Sequence, residues 1–219
     1  MKKFQFISIL LLALVMLACN TNNPTLENYH PMVAEGYQWN IETSYFSDPL
    51  NAYSIKTYER FMGTTEANGQ IYHRLMSRED YDNSAWTLLA LLREDIKHQQ
   101  IYILLDGQEH LLYDFGMEVG EVCRLYINPQ YEKEPYQLRL EAITKIRDHQ
   151  GNILRKFQYE FEGSEDGTFD GAKYIVYERI GTTDGVTEHL YGITGDMTRS
   201  VQTVLDEKGN IVIADYSIK

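Results

Sequence analysis

The chain has 219 residues, with 20 Lys and Arg against 32 Asp and Glu, so its formal net charge is −12 at pH 7. Such an acidic protein gains nothing from releasing counterions on DNA or RNA, which argues against a nucleic-acid partner. Two cysteines are too few for a disulfide framework, and the length suits one domain with a sizeable core or at most two small ones.

The first eighteen residues have the pattern of an export signal. Lys2 and Lys3 give a positive start, and an apolar run from Phe6 to Ala18 is interrupted only by Ser8. The run has the length of a signal-peptide core and is too short to cross a hydrocarbon layer, which needs roughly 20 apolar residues. We therefore predict that residues 1–18 are a cleaved signal peptide.

The end of this signal resembles the bacterial lipobox, in which a small residue directly precedes a cysteine. The residues are Met16-Leu17-Ala18-Cys19, with Met16 where Leu is usual. The resemblance implies that the peptide is cut before Cys19 and that the thiol receives a diacylglycerol, with palmitate among the acyl chains. Two or three such chains hold a protein on a bilayer, whereas one is marginal. The alternative is an ordinary cleaved signal followed by a coincidental cysteine.

The residues after Cys19 predict a tether and a location in the cell envelope. The polar stretch that begins at Asn20 indicates a flexible tether over residues 19–35, followed by a single β-rich domain over residues 36–219. No acidic cluster follows Cys19, such as marks surface export in Bacteroidota lipoproteins, and this favours the periplasmic face of the outer membrane. Anionic headgroups would repel so acidic a domain, so we expect membrane contact through the lipid alone.

Apolar and polar residues alternate along much of the remaining chain. The alternation is clearest where Phe157, Tyr159 and Phe161 are separated by Gln158 and Glu160, and it recurs over residues 37–41 and 138–146. Side chains of a strand point to opposite faces in turn, so each stretch predicts a strand with one buried and one wet side. This pattern is typical of antiparallel sheets.

Short turn sequences separate these stretches and favour hairpins. They are Asn68-Gly69, Asp106-Gly107, His149–Asn152 and Lys208–Asn210. Gly, Asn and Asp tolerate the positive φ that tight hairpin turns require. We predict a mainly β fold of about ten to twelve antiparallel strands in meander-like order, as a sandwich or a strongly curved, barrel-like sheet.

Two stretches are more continuously apolar, residues 86–92 and 174–180. A strand that is covered on both faces has no polar side, so we expect both stretches to form central strands. A helix is the alternative for residues 86–92, because periodicity alone does not separate a buried strand from a short buried helix.

Several short motifs, in their order along the chain, resemble a β-rich domain common in secreted and lipid-anchored proteins of Bacteroidota. They are LLRED at 91–95, LLYDF at 111–115, VGE at 119–121, IRD at 146–148, LRK at 154–156 and YERIGTTDG at 177–185. The chain departs from that family at Glu121, where Asp is usual, and at Tyr177 and Arg179, where Trp and Gly are usual. The resemblance spans roughly residues 36–215 and implies fold and location, but no activity and no site residues.

Candidate chemistry is sparse, and we predict no catalytic, metal or cofactor site. Paired carboxylates could serve a glycosidase, for which Arg93-Glu94-Asp95 and Asp114 are best placed, but hairpin and strand-end roles explain them better. Cys123 lies in a strand-like stretch and is expected to be a small buried hydrophobe, not a nucleophile. The histidines lack zinc-ligand spacing. The acidic run 166–171 lacks the pattern of an EF-hand and is better explained by tight turns.

Three functional hypotheses follow. The first is a non-catalytic binding or scaffold module for a protein or glycan partner, which predicts aromatic side chains on an exposed sheet face. The second is a carrier of a small apolar ligand, which predicts a cavity lined by Tyr, Leu and Ile. The third is a carboxylate-based hydrolase, which predicts two converging acids in a cleft, at least one with a raised pKa.

Overall fold

A computed structural model describes residues 29–46, 52–80, 84–127, 134–162, 172–187 and 197–214. The predicted signal peptide over residues 1–18, the lipid-attachment residue Cys19 and the acidic run 166–171 lie outside the described residues. Within them no α-helix occurs, so none is long and apolar enough to span a membrane.

The described residues form twelve β-strands. The strands are β1 (Gln38–Tyr45), β2 (Tyr53–Ala67), β3 (Gln70–Glu79), β4 (Thr87–Asp95), β5 (Gln100–Leu105), β6 (Gln108–Asp114), β7 (Val122–Leu125), β8 (Tyr136–Arg147), β9 (Ile153–Phe161), β10 (Lys173–Tyr177), β11 (Met197–Leu205) and β12 (Ile211–Ala214). Eight of them form one sheet in the order β12-β11-β1-β2-β3-β4-β5-β6, and four form a second sheet in the order β10-β9-β8-β7.

Every strand pairing is antiparallel, and most neighbours in each sheet are consecutive in the chain. The predicted mainly β, antiparallel, meander-like fold is therefore confirmed. The larger sheet ends on β12 and β6 and is not closed into a barrel. Both sheets contribute side chains to one hydrophobic core, as in a sandwich.

The burial of side chains alternates along β9 as the sequence predicts. In β9, Phe157, Tyr159 and Phe161 are buried while the residues between them are half-buried. In β8 a bulge between Leu140 and Ala142 shifts the register, so the inward face continues at Ile143. Such a bulge inserts one extra residue and flips the faces beyond it, which the plain period of two does not anticipate.

The predicted hairpin turns are confirmed. Asn68 and Asp106 adopt φ angles of 53° and 48°, and the glycine after each also lies in the left-handed region. Both central residues of a type I′ turn need positive φ, which is why these two dipeptides favour the β2–β3 and β5–β6 hairpins.

The expectation of two fully covered central strands is wrong. Residues 86–92 form most of β4, a strand and not a helix, but its Leu88 is 55% exposed, so only one face is covered. Residues 174–180 include β10, which is an edge strand of the smaller sheet. The chain turns directly after β10, where Arg179 and Gly181 have positive φ.

The N-terminal end of the described chain packs on the domain. Tyr29, Met32 and Val33 are buried in the shared core. These residues lie within the predicted tether over residues 19–35, so the packed part of the chain extends further toward the N-terminus than residue 36.

Aromatic side chains connect the larger sheet to the smaller sheet and to the segment that follows β10. The Trp39 indole donates a hydrogen bond to the Ile180 carbonyl (2.7 Å), and the Tyr113 hydroxyl donates to the Val186 carbonyl (2.5 Å). Phe115 packs edge-on against Phe157 with ring centroids 5.3 Å apart. These two buried donors are hydrogen-bonded and so escape the penalty of burial without a partner.

Candidate binding surface on the eight-stranded sheet

The eight-stranded sheet has a second face, directed away from the shared core. In β2, Thr57, Glu59 and Phe61 are buried, whereas the intervening residues face the other way. These outward residues are Lys56, Tyr58 and Arg60. The outer face is thus polar and cationic in this region, although the chain as a whole is acidic.

An arginine near the end of β3 packs against two aromatic rings on this face. Tyr58 on β2 is directly opposite Arg78 on β3, and Trp86 immediately precedes β4. The Arg78 guanidinium carbon lies 5.1 Å from the Tyr58 ring centroid and 4.9 Å from the Trp86 ring centroid. Both distances are within the range of cation–π attraction, so the two rings hold the guanidinium in a fixed position. We call Tyr58, Arg78 and Trp86 the outer-face stack.

Apart from the two rings, the guanidinium of the outer-face stack has no hydrogen-bond or ion-pair partner among the described residues. Its Nε atom is buried and makes no hydrogen bond there, and no described carboxylate forms an ion pair with Arg78. A buried donor without a partner is costly, so such groups are rare and call for an explanation. Because the Nε atom is buried, a ligand could reach only the terminal nitrogens of this guanidinium.

A groove of about 320 Å³ adjoins the stack. Its lining is Asn40, Ile41, Glu42, Lys56, Tyr58 and Gln202, from β1, β2 and β11. Tyr58 therefore belongs to both the groove and the stack. The groove combines amide, carboxylate, ammonium and phenol groups, which can donate and accept hydrogen bonds, with a similar extent of apolar surface. A second groove, of about 210 Å³, shares Lys56 with the first and is also lined by Asp80.

A second arginine on the outer face contrasts with Arg78. Arg93 forms two hydrogen bonds with Glu109, from Nε at 2.6 Å and from Nη2 at 3.0 Å, and its guanidinium lies 4.6 Å from the Tyr102 ring. The Tyr72 hydroxyl also donates to Glu109 (2.9 Å). The hydrogen bond from Arg93 lowers the pKa of the Glu109 carboxyl. The charges of Arg93 and Glu109 neutralise each other, so this cluster presents no unpaired charge to a ligand.

Two of the four carboxylate-site candidates serve turns and strand ends. Asp95 accepts hydrogen bonds from the backbone and ring nitrogens of His98, and the side-chain bond lowers the pKa of Asp95. Asp114 accepts from Gly116 N–H (2.9 Å) and from the Gln100 amide (2.7 Å), while burial raises its pKa. Their geometry matches the structural roles expected from the sequence.

Glu94, another of these candidates, holds the N-terminal segment in place. Its carboxylate accepts the backbone N–H groups of Met32 (3.2 Å) and Val33 (3.0 Å) and the Tyr29 hydroxyl. Burial raises the pKa of Glu94. Glu178 accepts the His30 N–H (2.9 Å). Both acids therefore bind backbone donors of the N-terminal segment.

Cys123 and the metal-ligand residues show no reactive arrangement in the described part of the chain. Cys123 is half-buried and packs on the core, and burial raises the pKa of its thiol to about 12, which opposes formation of a thiolate nucleophile. Across the described ranges, no group of three or more His, Cys, Asp and Glu residues is arranged to hold a metal ion.

Sequence reasoning did not single out the outer-face stack. Tyr58, Arg78 and Trp86 lie in separate parts of the chain and meet only because of strand register. The available signal was an aromatic residue on the outward side of β2, a cation near the end of β3 and an aromatic residue directly before β4. No protein-family model, curated protein or solved structure matches this chain.

Proposed function

We propose that this protein is a lipid-anchored binding module of a bacterial cell envelope. Acyl chains on Cys19 hold it at the periplasmic face of the outer membrane, and the outer face of the eight-stranded sheet holds a protein or glycan partner. The observation that carries the binding role is the outer-face stack, in which Arg78 is fixed between two rings without a protein partner among the described residues. Fixed aromatic and arginine side chains are the usual anchors of recognition surfaces.

The interior of the domain favours this role over that of a carrier. A carrier needs an apolar cavity, which in this fold would lie between the two sheets. There Trp39, Phe61 and Phe157 are fully buried and belong to one continuous cluster of packed side chains. The two grooves described above instead lie on the eight-stranded sheet and combine polar groups with a similar extent of apolar surface.

The anchoring half of the proposal is tested by Cys19→Ala. We expect the wild-type protein to fractionate with membranes and to carry a mass increase equal to its acyl chains. The variant should lose both properties. A wild-type protein without added acyl mass, or a variant that remains in the membrane fraction, would show that Cys19 is not the anchor.

The proposed binding role is tested with the full-length protein extracted from membranes and immobilised, over which solubilised envelope proteins and glycans are passed. We expect the wild type to retain a defined protein or glycan, and Trp86→Ala to lose it because one side of the arginine clamp is gone. Ile153→Ala is the matched control, since this apolar side chain is 45% exposed on the other sheet. Equal retention by wild type and Trp86→Ala would exclude the outer face as the binding surface.

A further inference from the structure

The outer-face stack also indicates the chemical class of the ligand. Resting on the proposed function, we infer that the surface binds a saccharide that carries an acidic group, with Arg78 binding the acid and the adjoining groove binding the sugar hydroxyls. Three observations lead to this assignment: the position of the guanidinium, the lining of the groove, and the charge of the surrounding face.

Arg78 is prepared to bind an oxyanion. The rings of Tyr58 and Trp86 lie 5.1 Å and 4.9 Å from its guanidinium carbon, so the planar group is held before a ligand arrives. A guanidinium presents paired N–H donors that match the two oxygens of a carboxylate or sulfate. Since little side-chain freedom remains to be lost, binding an acid here costs less entropy than binding it with a free arginine.

The adjoining groove suits a ligand with many hydroxyl groups. Asn40, Glu42 and Gln202 bring amide and carboxylate groups to its lining, and Lys56 brings a cation. The Asn40 side-chain oxygen already accepts from Gln38 (2.7 Å), and the Gln202 side-chain nitrogen already donates to Ser200 (2.7 Å). The amide nitrogen of Asn40 and the oxygen of Gln202 are thus directed by fixed partners. A volume of about 320 Å³ is at the small end of ligand sites and accommodates one or two sugar rings.

The charge of the face separates a saccharide from a protein surface. The centres of protein interfaces are depleted of Lys, Glu and Asp but not of Arg, whereas here Lys56 lines both grooves beside Arg60 and Arg78. Glu42 and Asp80 flank these cations and would weaken attraction to a highly charged polyanion. These two acids are compatible with a ligand whose acidic groups are isolated among neutral hydroxyls.

The test compares three oligosaccharides of equal length on the membrane-extracted full-length protein. The probes are an oligogalacturonate, a sulfated heparin fragment and a neutral xylo-oligosaccharide. We expect binding of at least one acidic probe, and Arg78→Gln to weaken it by about 10- to 100-fold, the usual effect of removing a charge-assisted pair. Arg124→Gln, which removes an exposed arginine from the four-stranded sheet, should bind as the wild type does. Circular dichroism would confirm that each variant is folded.

The outcomes distinguish a carboxylated sugar from a sulfated one. They also distinguish failure of the ligand assignment from failure of the proposed binding function. Galacturonate binding alone assigns a carboxylated sugar, and heparin binding alone assigns a sulfated one. Equal binding of the neutral probe, or an unchanged affinity in Arg78→Gln, would overturn the acidic-saccharide assignment. If no probe binds but Trp86→Ala still loses a captured protein, the assignment fails while the binding function stands.

Discussion

Arg155 and Glu178 form an ion pair beneath the N-terminal segment, with Arg155 Nε 3.0 Å from Glu178 Oε2. The Glu178 side chain is fully buried, and the Arg155 guanidinium also donates to the Phe115 carbonyl (3.0 Å) and the Gln99 side chain (2.8 Å). Arg155, Glu178, Phe115 and Glu94 all belong to the short motifs identified in the sequence. Those motifs therefore describe a buried polar network that holds the fold together.

Removal of Arg155 should strongly destabilise the domain. Arg155→Met leaves the buried Glu178 carboxylate without its cation, a change that costs about 3–5 kcal/mol in comparable buried pairs. The free energy of unfolding from urea titration measures the effect. The double variant Arg155→Met with Glu178→Gln should recover part of the loss, because the uncompensated charge is gone. Equal loss in the single and double variants would mean that the cation contributes only packing.

Glu94 should determine whether the N-terminal segment stays docked. Glu94→Ala leaves Tyr29, Met32 and Val33 without their acceptor, and each unsatisfied polar group costs about 1–3 kcal/mol when it remains buried. We expect the segment to detach, so the amides of Met32 and Val33 should lose protection in hydrogen exchange. Asp95→Ala is the control, since Asp95 faces the neighbouring turn. Retained protection in Glu94→Ala would show that apolar packing and the hydrogen bond from His30 to Glu178 suffice to hold the segment.

The sequence predicted the strands and turns but not the candidate site. Phe157, Tyr159 and Phe161 show their burial in a period of two, and Asn68-Gly69 identifies a hairpin, because both signals are local. The outer-face stack depends on the alignment of separate strands, and bulges such as the one after Leu140 shift such alignments by one residue. A shift of one residue moves a side chain to the opposite face, so local periodicity does not determine which outward residues meet.

Arg179 adopts a backbone conformation that favours glycine, with a left-handed φ of 68°. Its guanidinium reaches two hairpin turns, with Nη1 3.1 Å from Asp148 Oδ2 and Nη2 3.7 Å from Asp206 Oδ2. The two turns share the pattern Asp-x-x-Gly-Asn, at 148–152 and 206–210. The backbone strain of a non-glycine residue is thus offset by contact with two buried carboxylates.

The Asp206 turn should make stability depend on acid pH. Burial raises the pKa of Asp206, but hydrogen bonds from Asn210, Gln150 and the Lys208 backbone outweigh it and lower the pKa from 3.8 to about 2. Because this pKa lies below that of the unfolded chain, the carboxylate stabilises the fold above about pH 4 and loses that effect as the pH falls toward 2. We expect Asp206→Asn to be destabilised by on the order of 2 kcal/mol at pH 6, with a smaller difference from wild type at pH 2.

Urea titrations of both proteins between pH 2 and pH 6 measure this difference. Glu207→Gln is the matched control, because Glu207 is the exposed neighbour of Asp206 in the same turn. The control should follow the wild-type curve. A difference between Asp206→Asn and wild type that does not change with pH would show that the effect arises from lost hydrogen bonds alone.

Gly116 should not tolerate a side chain. A Cβ atom at this position would lie 2.7 Å from the His98 carbonyl oxygen, which is closer than real Cβ contacts. The carbonyl belongs to the backbone of the turn before β5, so relief requires movement of the chain. We expect Gly116→Ala to lower the free energy of unfolding by about 1–3 kcal/mol, as overpacking does elsewhere. Gly69→Ala, which meets no atom within 4 Å but has a φ of 71°, should lose less, about 1 kcal/mol from backbone strain alone. Equal losses in the two variants would contradict the steric explanation.

Cys123 should react slowly with thiol reagents in the folded protein. Burial, followed by the charges of Asp114 and Glu121, raises the pKa of its thiol to about 12. At pH 8 the thiolate fraction is then roughly three orders of magnitude below that of an ordinary exposed cysteine, and the reaction rate falls with it. A colorimetric disulfide reagent measures the rate before and after unfolding in urea. Fast reaction in the folded state would contradict the burial of this thiol.

The same titration also tests the proposed anchor independently of membrane fractionation. If Cys19 carries a diacylglycerol, its sulfur is a thioether, so the unfolded wild-type protein should release one equivalent of chromophore, from Cys123. Cys123→Ser should then release none, folded or unfolded. One equivalent from unfolded Cys123→Ser would come from a free Cys19 thiol and would contradict the lipid attachment, whatever membrane fraction the protein occupies.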